Sequence, residues 1–169
     1  MIKVYLAGEI HTNWREDLIQ LCNSANLKTQ FFSPVTNHEN SDNCGVEILG
    51  PEDKNFWKDN KGANINSIRT KKAIKDSDVV VVKFGEKYKQ WNAAFDAGYA
   101  SALNKSIIII HSDDHQHALK EVDAAASAVV SNNEQVVRIL KYVQDGSLEK
   151  FFFFKQKTAY EIMQSSTDG

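Results

Sequence analysis

Two runs without polar alternation, Val79 to Val82 and Ile107 to Ile110, constrain this chain more than any other feature. Continuous β-branched residues suit strands covered on both faces, as in a parallel sheet with helices on each side. The segment between them, KFGEKYKQWNAAFDAGYASALNKS, holds a Gly-containing loop followed by a helix-like stretch. That is enough chain for a right-handed βαβ crossover. In open parallel sheets, ligands sit beyond the carboxyl ends of the strands. Phe84, Gly85 and the start of the following helix therefore fall at an expected site, with the carboxylate of Asp96 further into that helix.

The rest of the chain extends this pattern. Lys3 to Ala7 reads as a short strand ending at Gly8, and Asn13 with Glu16 reads as a capping box before a helix from Trp14 to about Ala25. Thr29 to Ser33 is a second strand, stopped by Pro34. From Val35 to Gly62 the chain is polar and weakly periodic, which predicts a long functional loop or lid. Ile65 to Lys75 reads as a basic helix, His117 to Ala126 as a short one, Ser127 to Val130 as a fifth strand, and Asn133 to Asp145 as a closing helix. The alternation predicts an α/β fold: a doubly wound, mainly parallel five-stranded sheet with helices on both faces, Rossmann- or flavodoxin-like, strand order 2-1-3-4-5.

A chain of 169 residues suits one domain with a sizeable core, and a net charge of −2 offers no footprint for a nucleic-acid polymer or an anionic membrane. No apolar run approaches the roughly 20 residues of a membrane helix, and the immediate N-terminal strand leaves no room for a secretion signal. Cys22 and Cys44 have no metal-ligand spacing and read as reduced thiols. The expectation is a soluble, cytoplasmic protein without cofactor or membrane partner. Residues 1–150 form its domain. Residues 151–169 begin with four of the nine Phe residues in one run that no helical or strand periodicity organises. This stretch resembles the peptide read from sequencing-adaptor DNA on unrelated translations, and it is taken as a non-native tail.

Several constellations could carry chemistry. In AGEIHTNWRE, Gly8 lets backbone approach a ligand while Glu9, His11, Trp14 and Arg15 crowd the first strand-to-helix turn. The turn is neither a GxGxxG fingerprint nor a Walker loop. Arg15, in the first turn of its helix, opposes the macrodipole unless it meets an anion such as phosphate; a solvated or salt-bridged Arg is the plainer alternative. Along the helix from Gln90 to Leu103, Trp91, Phe95, Gly98 and Ala102 are expected to face the sheet. Asn92, Asp96 and Tyr99 share a neighbouring face at i, i+4 and i+7. A carboxylate beside an amide and a phenol is a usable site, although an Asp near a helix start is also simply comfortable there. HSDDHQH has no established zinc spacing, so no metal is expected, and His111 is left as a pocket residue at a strand end.

The pieces YLAGEIHTNWRE, SPVTNHE, CGVEILG, KGANINSIRT, KFGEKYKQWNAAFDAGYASAL and LKEVDAAA closely resemble the YtoQ-type family of nucleoside 2-deoxyribosyltransferase-like proteins, from Ile2 to about Tyr142. In that wider group a YLAG strand accompanies a helix whose Glu-x-Gly-Tyr-Ala motif supplies a nucleophile for C1′ of a 2′-deoxyribonucleoside. The resemblance implies Asp96 of Asp96-Ala97-Gly98-Tyr99-Ala100 at the nucleophile position, one methylene shorter. It also implies an Asp six residues earlier, where this chain has Gln90. The implied function is a nucleoside or nucleotide N-glycosidic-bond enzyme, a transferase or hydrolase. Tyr99 and Asn92 would position Asp96; Trp91 and Tyr5 would contact the base; Glu9, Glu86 or His11 would handle a proton; Arg15 or Arg69 would hold a phosphate. The two departures equally allow a catalytically silent nucleotide-binding module. A homodimer is left open.

Overall fold

The computed structural model describes residues 1–148; the expected tail, 151–169, lies outside the described residues. The chain runs β1 (Ile2–Gly8), α1 (Trp14–Ser24), β2 (Thr29–Phe32), α2 (His38–Leu49), α3 (Asn55–Asp76), β3 (Val79–Lys83), α4 (Trp91–Ala102) and β4 (Ser106–Ile110). A single 3-10 turn, Asp113–His115, then leads into α5 (Lys120–Ala124), β5 (Ala128–Val130) and α6 (Asn133–Asp145). The sheet has the expected order β2-β1-β3-β4-β5, and every neighbouring pair is parallel.

Strand parity divides the core into two layers. Val4, Leu6, Val79, Val81, Ile108 and Ile110 pack with Leu18 and Cys22 of α1 and with Val136, Val137 and Leu140 of α6. Tyr5, Ala7, Val80, Val82, Ile107 and Ile109 pack on the opposite face with Ile74 of α3 and Ala93, Ala97 and Ala100 of α4. Both central strands are thus covered twice, which is why their sequences do not alternate. Each buried Val or Ile contributes roughly 1.5–3 kcal/mol through the water it sheds. Asn132 caps α6, its side chain accepting from the Gln135 N–H at 3.0 Å, and Asn133 Nδ2 donates to the Trp14 carbonyl of α1 at 3.0 Å.

Three expectations are corrected. The stretch from Val35 to Gly62 is no loop: it holds α2 and the first part of α3, which form a helical hairpin. Its buried seam is made of small residues rather than an apolar stripe. A Cβ on Gly45 would stand 2.5 Å from the Gly62 nitrogen, so only glycine allows the two helices to close. Ile48, Leu49, Phe56 and Trp57 point outward, which erased the periodic signal. Second, Asn13 makes no side-chain cap bond, so the capping box before α1 is not formed. Third, α4 is turned from its expected orientation: Trp91 and Phe95 are 75% and 64% exposed, and alanines face the sheet. The sheet surface beneath already carries Tyr5, Val82 and Ile109, which leaves depth only for Cβ-sized side chains. Among the described residues no helix is long and apolar enough to cross a membrane.

Candidate active site

The first strand-to-helix turn is built around Gly8, whose φ is +115° and where a Cβ would lie 2.1 Å from the Lys83 carbonyl oxygen. Glycine there brings the ends of β1 and β3 into direct contact, and the Glu9 N–H then donates to that carbonyl at 3.0 Å. Glu9 turns inward and is only 3% exposed. Its carboxylate accepts the backbone N–H of His11 at 2.6 Å, that of Thr12 at 3.1 Å, and the Thr12 hydroxyl. Burial alone would raise its pKa, but these bonds and the nearby Lys83 charge outweigh it and hold the carboxyl below the usual range. Arg15 is 5% exposed, and each of its three guanidinium nitrogens donates to backbone. Its Nε donates to Leu6 O at 3.1 Å, Nη1 to Glu9 O at 2.7 Å and Nη2 to Gly8 O at 3.1 Å. Trp14 Nε1 donates to Glu9 O at 2.9 Å, and the guanidinium lies 4.7 Å from the Trp14 ring.

Above the strand ends opens a cavity of about 340 Å³, lined by Glu9, His11, Gly85, Glu86, His111 and Lys83 among others. His111 is buried; its Nδ1 faces the Ser112 carbonyl at 2.6 Å and its Nε2 faces Asp123 at 2.9 Å. Desolvation disfavours the imidazolium, but the Ser112 carbonyl and Asp123 prevail and make the ring more basic than usual. At the mouth, the His11 ring lies 4.8 Å from Tyr88 and 6.0 Å from His38.

Asp96 does not line this cavity. It is half-buried on α4, and among the described residues it makes neither a hydrogen bond nor an ion pair. Burial therefore pushes its carboxyl up to about 6 with nothing to offset the shift. It faces the fully buried Tyr5 closely enough to act on the phenol. Burial pushes Tyr5 up to about 12; Thr70 lowers it, Asp96 raises it, and Arg15 and Arg69 lower it slightly. The Tyr5 hydroxyl completes no hydrogen bond, with Thr70 of α3 alongside. The level of this pair follows from geometry. Tyr5 lies three strand residues below Gly8, about 10 Å. Asp96 lies five helical residues into α4, about 7.5 Å, and α4 runs back down the sheet.

The sequence-predicted site is thus divided in two. Glu9, His11, Gly85, Glu86 and His111 meet at the strand-end cavity. Asp96 and Tyr5 meet lower down, on the face covered by α3 and α4, with Arg69 on α3 and half-buried Tyr99 on α4. Trp14 and Arg15 are buried in the turn, whereas Asn92 and Trp91 lie on the exposed side of α4. The sequence reading missed Lys83, Thr12, Thr70 and Asp123. Only Lys83 left a signal, as a lone cation closing an all-valine strand.

A five-stranded parallel sheet in this order, with a desolvated carboxylate near a first-strand tyrosine, defines a doubly wound α/β protein in which, among the described residues, Asp96 is an unpaired acid beside the core. Residues 5–144 match the family model described as Nucleoside 2-deoxyribosyltransferase YtoQ, and the chain belongs to that family. It is 44% identical over 140 residues to "Uncharacterized protein YtoQ" of Bacillus subtilis (strain 168), across 83% of this chain and 95% of that one. Among solved structures, a conserved protein from Enterococcus faecalis V583 superposes with a TM-score of 0.56 at 16% identity, covering 85% of this chain and 99% of that one, a likeness of fold. The Clostridium botulinum CMP N-glycosidase BcmB reaches a TM-score of 0.48 at 15% identity, over 83% and 98% of the two chains.

Proposed function

We propose that this protein cleaves the N-glycosidic bond of a nucleoside or nucleotide, with Asp96 as nucleophile, as a deoxyribosyltransferase or an N-hydrolase. One observation carries the reading: Asp96 is a half-buried carboxylate, raised to about 6, with no hydrogen-bond or ion-pair partner among the described residues. A structural Asp is normally paired; a desolvated, unpaired one is a functional-site mark. Family membership supports the same chemistry.

Asp96 would attack the anomeric carbon as the C–N bond breaks and its electron pair leaves with the base. The resulting glycosyl ester would be opened by a second base or by water. At neutral pH the carboxylate is ionised, and little water surrounds it to blunt its attack. Tyr5, pushed up to about 12, stays protonated and would donate to Asp96. Tyr99 and Arg69 would border the substrate, while Gly85, Glu86, His11 and His111 would meet whatever part of it reaches the strand-end cavity. The test is turnover of a deoxynucleoside panel, with and without an acceptor base. Base exchange marks a transferase, free sugar marks a hydrolase, and Asp96→Ala should abolish either while leaving the fold intact. Full activity in Asp96→Ala would remove it from the mechanism.

A further inference from the structure

In doubly wound folds the backbone N–H groups of the first strand-to-helix turn are the usual seat of a ligand phosphate. Here the loop half of that seat, ahead of the helix α1 itself, is already filled. The N–H groups of His11 and Thr12 and the hydroxyl of Thr12 all donate to the Glu9 carboxylate. Arg15, the cation nearest the same turn in sequence, has all three guanidinium nitrogens on the carbonyls of Leu6, Gly8 and Glu9. The neighbouring loop is shaped to seat Glu9: a Cβ on Gly85 would stand 2.9 Å from Glu9 Cγ. Lys83 lines the cavity without an ion pair among the described residues, and its charge acts on Glu9.

We infer that Glu9 is a specificity-determining residue: it makes the strand-end cavity a site that bars phosphate and takes an uncharged, hydroxyl-bearing group. A carboxylate offers about four acceptor positions, and three are occupied. The remaining one can accept a ligand O–H or N–H. A phosphate brought to this turn would instead meet a fixed negative charge and find the loop donors spent. The cavity's volume of about 340 Å³ accommodates a sugar-sized group. The consequence for the substrate, a nucleoside rather than its 5′-monophosphate, rests on the nucleoside reading above; the exclusion of phosphate does not.

The test separates the two. Inorganic phosphate is titrated into the full chain at constant ionic strength and followed by calorimetry, for wild type, Glu9→Gln and Glu9→Ala. Wild type should show no saturable binding up to ~10 mM, and Glu9→Ala, which removes the charge and frees the donors, should bind at least about tenfold more tightly. Glu9→Gln keeps the side-chain shape without the charge and should gain less, in the same direction; it decides the matter if Glu9→Ala does not fold. Saturable phosphate binding by wild type, or no gain in any folded variant, overturns the inference. A deoxynucleoside and its 5′-monophosphate are then compared by the same method, and a wild-type preference for the monophosphate overturns it equally. No turnover is read, so loss of the Asp96 mechanism would leave the phosphate result standing.

Discussion

Replacing Asp96 with asparagine should stabilise this protein at neutral pH while abolishing the chemistry proposed for it. The carboxyl rises from an ordinary value of 3.8 to about 6 on folding because burial penalises its charge. Below pH 3.8 it is neutral in both folded and unfolded chains and costs nothing. Between there and about 6 the unfolded chain ionises while the folded one holds its proton, so stability falls as pH rises. Above about 6 the deficit is complete. The rise corresponds to about 3 kcal/mol, and the opening to solvent at this half-buried site argues for about 2–3. Asparagine has nearly the same shape and no charge to desolvate. Urea unfolding of wild type and Asp96→Asn should converge near pH 4 and separate by about 2–3 kcal/mol at pH 8, roughly 5–10 °C in Tm for a chain of this size. Parallel stability curves from pH 4 to 8, or a less stable variant at pH 8, would refute the desolvation argument and with it the basis for Asp96 as an activated nucleophile.

Other perturbations test the scaffold. Gly8→Ala forces a side chain into left-handed backbone and onto the β3 carbonyl at 2.1 Å; a loss of at least ~3 kcal/mol is expected in urea unfolding, and a loss below ~1 would contradict the close β1–β3 contact. Arg15→Leu strips donors from the carbonyls of Leu6, Gly8 and Glu9 and should cost about 3 kcal/mol at any pH near neutral. An exposed, replaceable Arg15 would show as no change. Asp123→Asn should lower the His111 pKa in an NMR titration. Because His111 is raised on folding, the stability it contributes is present below about 6.5 and lost as pH rises through its folded value. The variant should therefore lose more at pH 6 than at pH 9, and an equal loss at both would show that Asp123 acts only through packing.

The fold was legible because its two central strands are buried on both faces, and such burial requires unbroken Val and Ile whatever the neighbours are. Glu9 and His111 could be placed at strand ends from order alone, and the YLAG and Asp-x-Gly-Tyr-Ala pieces pointed to Tyr5 and Asp96 together. Helix α2 was not legible, since its contact with α3 is made by Gly45 and Gly62, and glycine seams leave no apolar period to read.

What the sequence determined by itself, then, is the alternation of strands and helices, the strand order, and the residues available at the carboxyl ends. Local periodicity and chain connectivity suffice for those. Only the tertiary structure decided which way each functional side chain is spent. It turned α4 so that alanines meet the sheet and Trp91 meets solvent. It consumed Arg15 on three carbonyls, placed Glu9 on the loop donors, and left Asp96 without a partner against Tyr5. These outcomes depend on the depth available between layers and on hydrogen bonds that close only when distant segments meet, and neither is encoded in the spacing of residues along the chain.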